Sequence, residues 1–171
     1  FLATDHIVRA LGADAPAPAS VLDIGCGSGA AGAAWSLASG GVPVTGLDRH
    51  PWATEEAQWT YRHWGLPGTA RRGDVTRFPP VRPGTGVIAA YVLNELSASV
   101  RQGLEDALLT WANKGARVLI IEPIARSVTP WWDETARRVV SCGGRADQWR
   151  IPVQLPPILR QFDRAAGLNH Q

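Results

Sequence analysis

Short apolar runs alternate along this chain with segments of helical spacing. Residues 21–24, 42–47, 69–73, 87–91 and 117–121 read as five strands. The fourth has no polar alternation, as expected of a strand covered by helices on both faces. Between them, residues 30–39 form an alanine-rich helix stopped by Gly40 and Gly41. The next helix opens on Pro51, carries Glu55 and Glu56 early and Arg62 and His63 late, and stops at Gly65. Trp52 and Trp59 share one of its faces. Val100, Leu104, Ala107, Leu108 and Trp111 give a further helix its apolar stripe.

The two ends are less regular. Residues 4–11 read as a short helix ending at Gly12, followed by the linker ADAPAPAS. Beyond Glu122, Thr129 and Pro130 are expected as the cap and first position of a helix carrying Trp131, Trp132, Val139 and Val140, closed by Gly143 and Gly144. Pro152 argues against a central strand there. Ile158, Leu159, Phe162, Ala165 and Ala166 mark a last helix ended by Gly167, and Leu168 looks like the start of another strand.

This alternation predicts an α/β fold: a doubly wound, Rossmann-like parallel sheet of about five strands with helices on both faces and right-handed crossovers. A single domain is expected over 1–171, with a helix and linker in 1–19, a core in 20–122 and a variable helical region in 123–171. Ligands of such sheets bind at the carboxyl ends of the strands. Asp48, Asp74, Tyr91 and Glu122 all fall at or just beyond those ends.

Composition narrows the function without naming it. Apolar residues make up 45% of the chain and charged residues 19%, which fits a packed globular domain rather than a disordered one. No apolar run is long enough to span a membrane, and residues 1–12 lack the pattern of a secretory leader, so no membrane partner and a cytoplasmic setting are expected. Cys26 and Cys142 have no metal-ligand spacing, and no metal is expected. A chain that opens at Phe1 and holds no methionine reads as a piece of a longer protein. The formal charge is only +2, yet the chain holds sixteen arginines and one lysine, Lys114. Either the arginine bias implies no partner, or Arg49, Arg62, Arg71, Arg72, Arg77 and Arg82 belong to an RNA-facing surface, diluted by Asp48, Glu55, Glu56 and Asp74. Nothing signals DNA binding.

The stretch VLDIGCGSGAAG carries two glycine patterns, G-x-G-x-G from Gly25 and G-x-G-x-x-G from Gly27. A glycine turn between strand and helix brings bare backbone and free N–H groups to a ligand. A dinucleotide would bring a pyrophosphate, whereas S-adenosylmethionine brings an ammonium, a carboxylate and a sulfonium. Asp23, two residues before Gly25, opposes a pyrophosphate but assists an ammonium, directly or through water. The strand ending at Ile24 sets the register to Gly25, so S-adenosylmethionine is the expected cofactor. Asp48 would accept the ribose hydroxyls, and Asp74 the exocyclic amine of adenine. An ordinary cap before Pro51 and an ordinary turn aspartate are the plainer readings of those two. The lone lysine has no tyrosine four residues before it, which removes the pair a short-chain dehydrogenase needs and leaves an NAD-dependent oxidoreductase as a remote alternative.

LDIGCGSG, GLDRH and GDV together resemble the class I S-adenosylmethionine-dependent methyltransferases over residues 20–122. The resemblance implies Asp23, Gly25, Gly27, Gly29, Asp48 and Asp74 as cofactor residues, with Cys26, Arg49, Val75 and Tyr91 lining the site. It also implies a terminal β-hairpin that this sequence stops short of. AAYVLNEL and LIIEP resemble, more narrowly, the ribosomal small-subunit methyltransferase-like assembly factors, although the cysteine clusters of those relatives are missing. RNA, in particular ribosomal RNA, is therefore expected as acceptor slightly ahead of a small molecule, with a ribosomal subunit as a partner. A non-catalytic or weakly catalytic RNA assembly module is the alternative.

The sulfonium already activates the methyl group, so such an enzyme mainly aligns a nucleophile and excludes water. Tyr91, Asn94 and Glu95 follow the fourth strand, where these enzymes meet their acceptor. Glu95 could act as base and Asn94 could orient an amine or hydroxyl; alternatively Asn94 caps the next segment and Glu95 is solvated. Absence of N-P-P-Y weakens base-amino methylation, and Cys26 reads as a buried filler rather than a nucleophile. Trp131 and Trp132 would either cover the acceptor or belong to the core.

Overall fold

The computed structural model describes residues 1–12, 16–77, 80–125, 127–151 and 157–167. Five parallel strands form one sheet: β1 (Ser20–Ile24), β2 (Val44–Asp48), β3 (Gly68–Arg72), β4 (Thr85–Ala90) and β5 (Arg117–Ile121), in the order β3-β2-β1-β4-β5. The order reverses at β1, because β2 and β4 both pair with it. That reversal puts the end of β1, just beyond Ile24, at the position where ligands of doubly wound sheets bind.

Strand alternation distributes the core between two faces. Val21 and Val44 face a cluster with Ile7 and Val8 of α1 (Leu2–Gly12), Ala33 and Trp35 of α2 (Ala30–Ala38), and Ala57 and Tyr61 of α3 (Pro51–His63). Leu22, Ile24, Val87 and Ala89 face the other way, against Leu104 and Leu108 of α4 (Ala98–Asn113). Two helices complete the described chain, α5 (Trp132–Ser141) and α6 (Pro157–Ala165). The expected α/β doubly wound architecture is the one observed.

β2 begins at Val44 rather than at residue 42, since Pro43 has no N–H for the ladder and supplies only its carbonyl, which accepts from the Val21 N–H. β4 stops at Ala90, because Tyr91 takes φ 60° and leaves the extended region. The expected cap of α5 is corrected as well. Thr129 is buried, its hydroxyl lies 3.3 Å from the carbonyls of Pro123 and Ala125, and the helix starts three residues later. The hydroxyl thus closes the loop after β5 instead of capping a helix. Trp131 packs against the α4-side cluster, with the Arg101 guanidinium 4.6 Å from its ring centre.

The β3 edge is closed by a side chain. Gln58 of α3 donates to the Gly68 carbonyl and accepts from the Ala70 N–H, both at 3.1 Å, and so satisfies backbone groups that an edge strand leaves open. Residues 152–156, with Pro152, and residues 168–171, with the strand start expected at Leu168, lie outside the described residues.

Candidate functional site

The turn from β1 into α2 follows from its glycines. Gly25, Gly27 and Gly29 all have positive φ, of 62°, 51° and 75°. At Gly29 a Cβ would come within 2.8 Å of the Tyr61 ring and 2.9 Å of the Ala57 backbone, so α3 packs directly on the turn. At Gly27 a Cβ would meet nothing within 4 Å. One glycine is therefore pressed into the fold, while the other offers bare backbone to a ligand.

Asp48 ties this turn to the end of β2. Its Oδ2 accepts from the Gly27 N–H at 3.0 Å and its Oδ1 from the His50 N–H at 2.9 Å. Both carboxylate oxygens keep lone pairs for further donors. Asp48 serves as an N-terminal turn acceptor before Pro51 and as a clamp on the loop at once. Its carbonyl accepts from the Gly73 N–H at 2.9 Å, which holds the end of β3 beside it.

Asp23 sits beneath the turn, 1% exposed, with Oδ2 accepting from the Gly32 N–H at 2.8 Å. Gly32 permits that approach, because a Cβ there would lie 2.7 Å from Oδ2. The third glycine of the dinucleotide pattern thus serves Asp23. Burial pushes this carboxyl up to about 7; the Gly32 N–H opposes the rise and the charge of Asp48 adds to it. Cys26 is buried too, and burial, with the charges of Asp23 and Asp48 behind it, pushes its thiol upward, away from a nucleophilic thiolate. Tyr61 is fully buried beside them, and its hydroxyl has no hydrogen-bond partner among the described residues.

A second group surrounds the 3-10 turn Leu93–Glu95. Glu122, just past β5, accepts with Oε1 from the Val92 N–H at 3.1 Å and the Leu93 N–H at 2.7 Å. The Asn94 amide, in the orientation that satisfies both of its ends, donates to Glu122 Oε2 at 3.0 Å and to the Tyr91 carbonyl at 3.1 Å. Burial raises the Glu122 carboxyl despite these donors. Asn94 therefore braces its own turn. Tyr91 projects from the end of β4 and is 52% exposed, and the exposed Glu95 carboxylate has no partner among the described residues. The two groups touch through Val92, whose Cγ2 would lie 2.6 Å from a Cβ at Gly25.

Asp74 and Arg49 stand to one side. Asp74 Oδ1 accepts from both the N–H and the hydroxyl of Thr76 at 2.8 Å, the arrangement of a turn aspartate. The Thr76 hydroxyl foremost, with nearby Arg77 and Arg49 adding, holds this exposed carboxyl below its usual range. Val75 packs against the α4-side core and does not stand free at the surface. The expected residues thus gather at one end of the sheet, in a loop-and-Asp48 group, a Tyr91–Glu95 group and a flanking Asp74 group. Glu122 is the addition: its place at a strand end is visible in the sequence, but its hold on residues 92–94, about thirty positions away, is not.

The class defined by this fold and turn is a Rossmann-like α/β protein with a glycine turn at the carboxyl end of β1. The methyltransferase domain family matches residues 21–119, and the chain belongs to that family. No curated protein matches the chain by sequence. Among solved structures, it is similar to the mitomycin 7-O-methyltransferase, at TM-score 0.59 and 20% identity over 85% of this chain and 49% of that one. It is also similar to an S-adenosylmethionine-bound amino pentose methyltransferase of calicheamicin biosynthesis from Micromonospora echinaspora, at TM-score 0.53 and 20% identity, covering 71% of this chain and 50% of that one. A third is a glycopeptide N-methyltransferase complexed with sinefungin, at TM-score 0.52 and 18% identity over 68% and 49%. The chain spans about half the length of these proteins. Nothing among the comparisons supports the narrower resemblance to ribosomal assembly factors. No helix among the described residues is long and apolar enough to cross a membrane.

Proposed function

We propose that this domain is an S-adenosylmethionine-dependent methyltransferase that delivers the methyl group beyond the ends of β4 and β5. The carrying observation is the clamp of Asp48 on the Gly27 N–H, with Gly27 otherwise open. The residues present fit an adenosyl group. Bare backbone lies at Gly27, a carboxylate with spare lone pairs at Asp48, and a buried acid under the turn at Asp23. S-adenosylmethionine is the cofactor, and when bound it supplies a methyl group already activated by the sulfonium.

What remains for the chain is alignment and proton handling. Asp48 accepts the ribose hydroxyls without releasing Gly27. Asp23 acts through the turn, by fixing the start of α2. Glu122 and Asn94 hold the 91–95 segment rigid, so that Tyr91 and Glu95 meet the acceptor from one side. Glu95, exposed and without a partner among the described residues, takes the proton that leaves an attacking oxygen or nitrogen.

The named neighbours support a small-molecule acceptor with such a nucleophile, since one is an O-methyltransferase of mitomycin and another acts on an amino pentose. A second reading, an RNA acceptor or an RNA assembly module, is favoured by one feature only, the arginines near Asp74. Calorimetric titration with S-adenosylmethionine tests the cofactor reading. One molecule per chain should bind, and Asp48→Ala should weaken binding tenfold or more, about 1.5 to 3 kcal/mol for a charge-assisted hydrogen bond. No binding, or equal binding by the variant, overturns it.

A further inference from the structure

α3 turns its tryptophans outward. Ala53, Ala57 and Tyr61 face the core, and helical spacing puts Trp52, Glu55, Glu56, Trp59, Arg62 and His63 on the opposite side. Trp52 is 60% exposed and Trp59 56%, although tryptophan is a residue that folds normally cover. Neither serves the core or the cofactor residues. The patch continues past the helix end: Trp59 stacks on His63 at 4.9 Å between ring centres, His63 meets Trp64 edge-on at 5.7 Å, and Trp64 stacks on Phe1 at 5.2 Å. Four rings thus run as one ladder from α3 to the start of α1, with Trp52 two turns back along the same face. The three tryptophans and Phe1 leave roughly 400 Å² of aromatic surface open, given about 150 to 250 Å² per aromatic side chain. A contiguous patch of several hundred Å² marks a docking surface.

The charges select its occupant. Glu55 and Glu56 lie in the first half of the face and Arg62 and His63 in the second, and none of the four has an ion-pair partner among the described residues. Such a face is complementary to itself turned end for end. An antiparallel copy whose two-fold axis passes at Trp59 brings Glu55 and Glu56 opposite His63 and Arg62 of the second copy, and sets Trp52 near the second copy's Trp64. A partner of a single sign would oppose one half of the face with like charge. We propose that this face is the contact of a two-fold symmetric dimer, in which α3 packs antiparallel on α3 of a second copy of this chain. About 800 Å² of aromatic surface from two copies, with the charged residues as its rim, approaches the roughly 1,200 Å² at which specific interfaces begin. The inner face of the same helix packs on the turn at Gly29, so pairing braces the helix behind each turn. The contact lies outside the cofactor residues and stands whether or not the domain transfers a methyl group.

Sedimentation velocity of the intact protein over roughly 1 to 100 μM should show monomer passing into dimer, since an interface at the low end of the specific range associates weakly. Trp59→Ala should weaken dimerisation tenfold or more, as expected of a tryptophan at an interface centre, with an unchanged circular dichroism spectrum because the residue is exposed. The charged halves supply a readout that only an antiparallel self-contact produces. Glu55→Lys/Glu56→Lys and Arg62→Glu/His63→Glu should each sediment as monomers alone, and equimolar mixing should restore a dimer holding one of each. A monomer at every concentration overturns the proposal and leaves the patch to a different partner. A dimer of unchanged affinity in Trp59→Ala, or folded charge variants that mixing fails to pair, overturns it too. Should a charge variant fail to fold, Trp59→Ala decides alone.

Discussion

Asp23 carries a cost at physiological pH. A buried carboxyl raised from 3.8 to about 7 is stabilised in its neutral form by folding. The folded chain therefore holds more protons than the unfolded one between those values, and stability falls as pH rises through that window. The contribution is complete below about pH 4 and gone above about 7. Asp23→Asn cannot titrate, yet it keeps an oxygen for the Gly32 N–H. Urea denaturation of both proteins at pH 5, 6 and 7 should show wild type losing ground to the variant by up to about 1.4 kcal/mol per pH unit. A stability difference that stays flat over this range would refute the neutral, buried state of Asp23. The same residue illustrates what the sequence could reveal. Its position before Gly25 is readable, but the charge on which the choice between cofactors rested is not what the fold keeps there. Its burial and its bond to Gly32 depend on how α2 packs, and no local pattern records that.

At the scale of elements, the strands and most helices were legible because apolar runs and glycine stops repeat in a βα rhythm. The departures come from single side chains reaching across the fold. Thr129 resembles a cap by type and neighbour, yet it is buried and bonds backward. Gln58 closes the β3 edge from ten and twelve residues away, and Glu122 braces the 3-10 turn from about thirty. Glu122→Ala removes the acceptor of two backbone N–H groups and of the Asn94 amide. It should cost about 2 to 3 kcal/mol in denaturant unfolding, with Glu122→Gln recovering much of the loss. An alanine variant as stable as wild type would mean that water replaces the carboxylate and that the turn needs no brace. α5 is held in a similar way. Glu105, buried on α4, accepts from the Thr135 hydroxyl and from Arg138, both at 2.7 Å, and Arg138 also pairs with the exposed Asp106. Glu105→Ala should cost about 1 to 3 kcal/mol, whereas Asp106→Ala should cost under about 1 kcal/mol, because only Glu105 is shielded from water. Equal losses from the two would place the anchoring elsewhere.

Over the whole molecule, the proposed site draws on the ends of the strands, so on that reading ligand binding and global stability are linked. β1 supplies the turn, β2 the Asp48 clamp, β3 the flanking Asp74 turn, and β4 and β5 the Tyr91–Glu95 segment with its Glu122 brace. Unfolding scatters all of these groups, so a ligand that needs them together binds the native chain alone. Saturating S-adenosylmethionine at about a hundred times its dissociation constant should then stabilise the domain by about 2.7 kcal/mol. For a chain of 171 residues this corresponds to a rise of roughly 5 to 10 °C in the melting midpoint. Asp48→Ala should abolish most of that rise while leaving the midpoint of the ligand-free protein within a few degrees, since Asp48 is only partly buried. Differential scanning calorimetry with and without the cofactor distinguishes the outcomes. A full rise in the variant would mean that the cofactor does not use Asp48. No rise in wild type, at a concentration known to saturate, would mean that the ligand binds the unfolded chain equally well, which would overturn the proposed site.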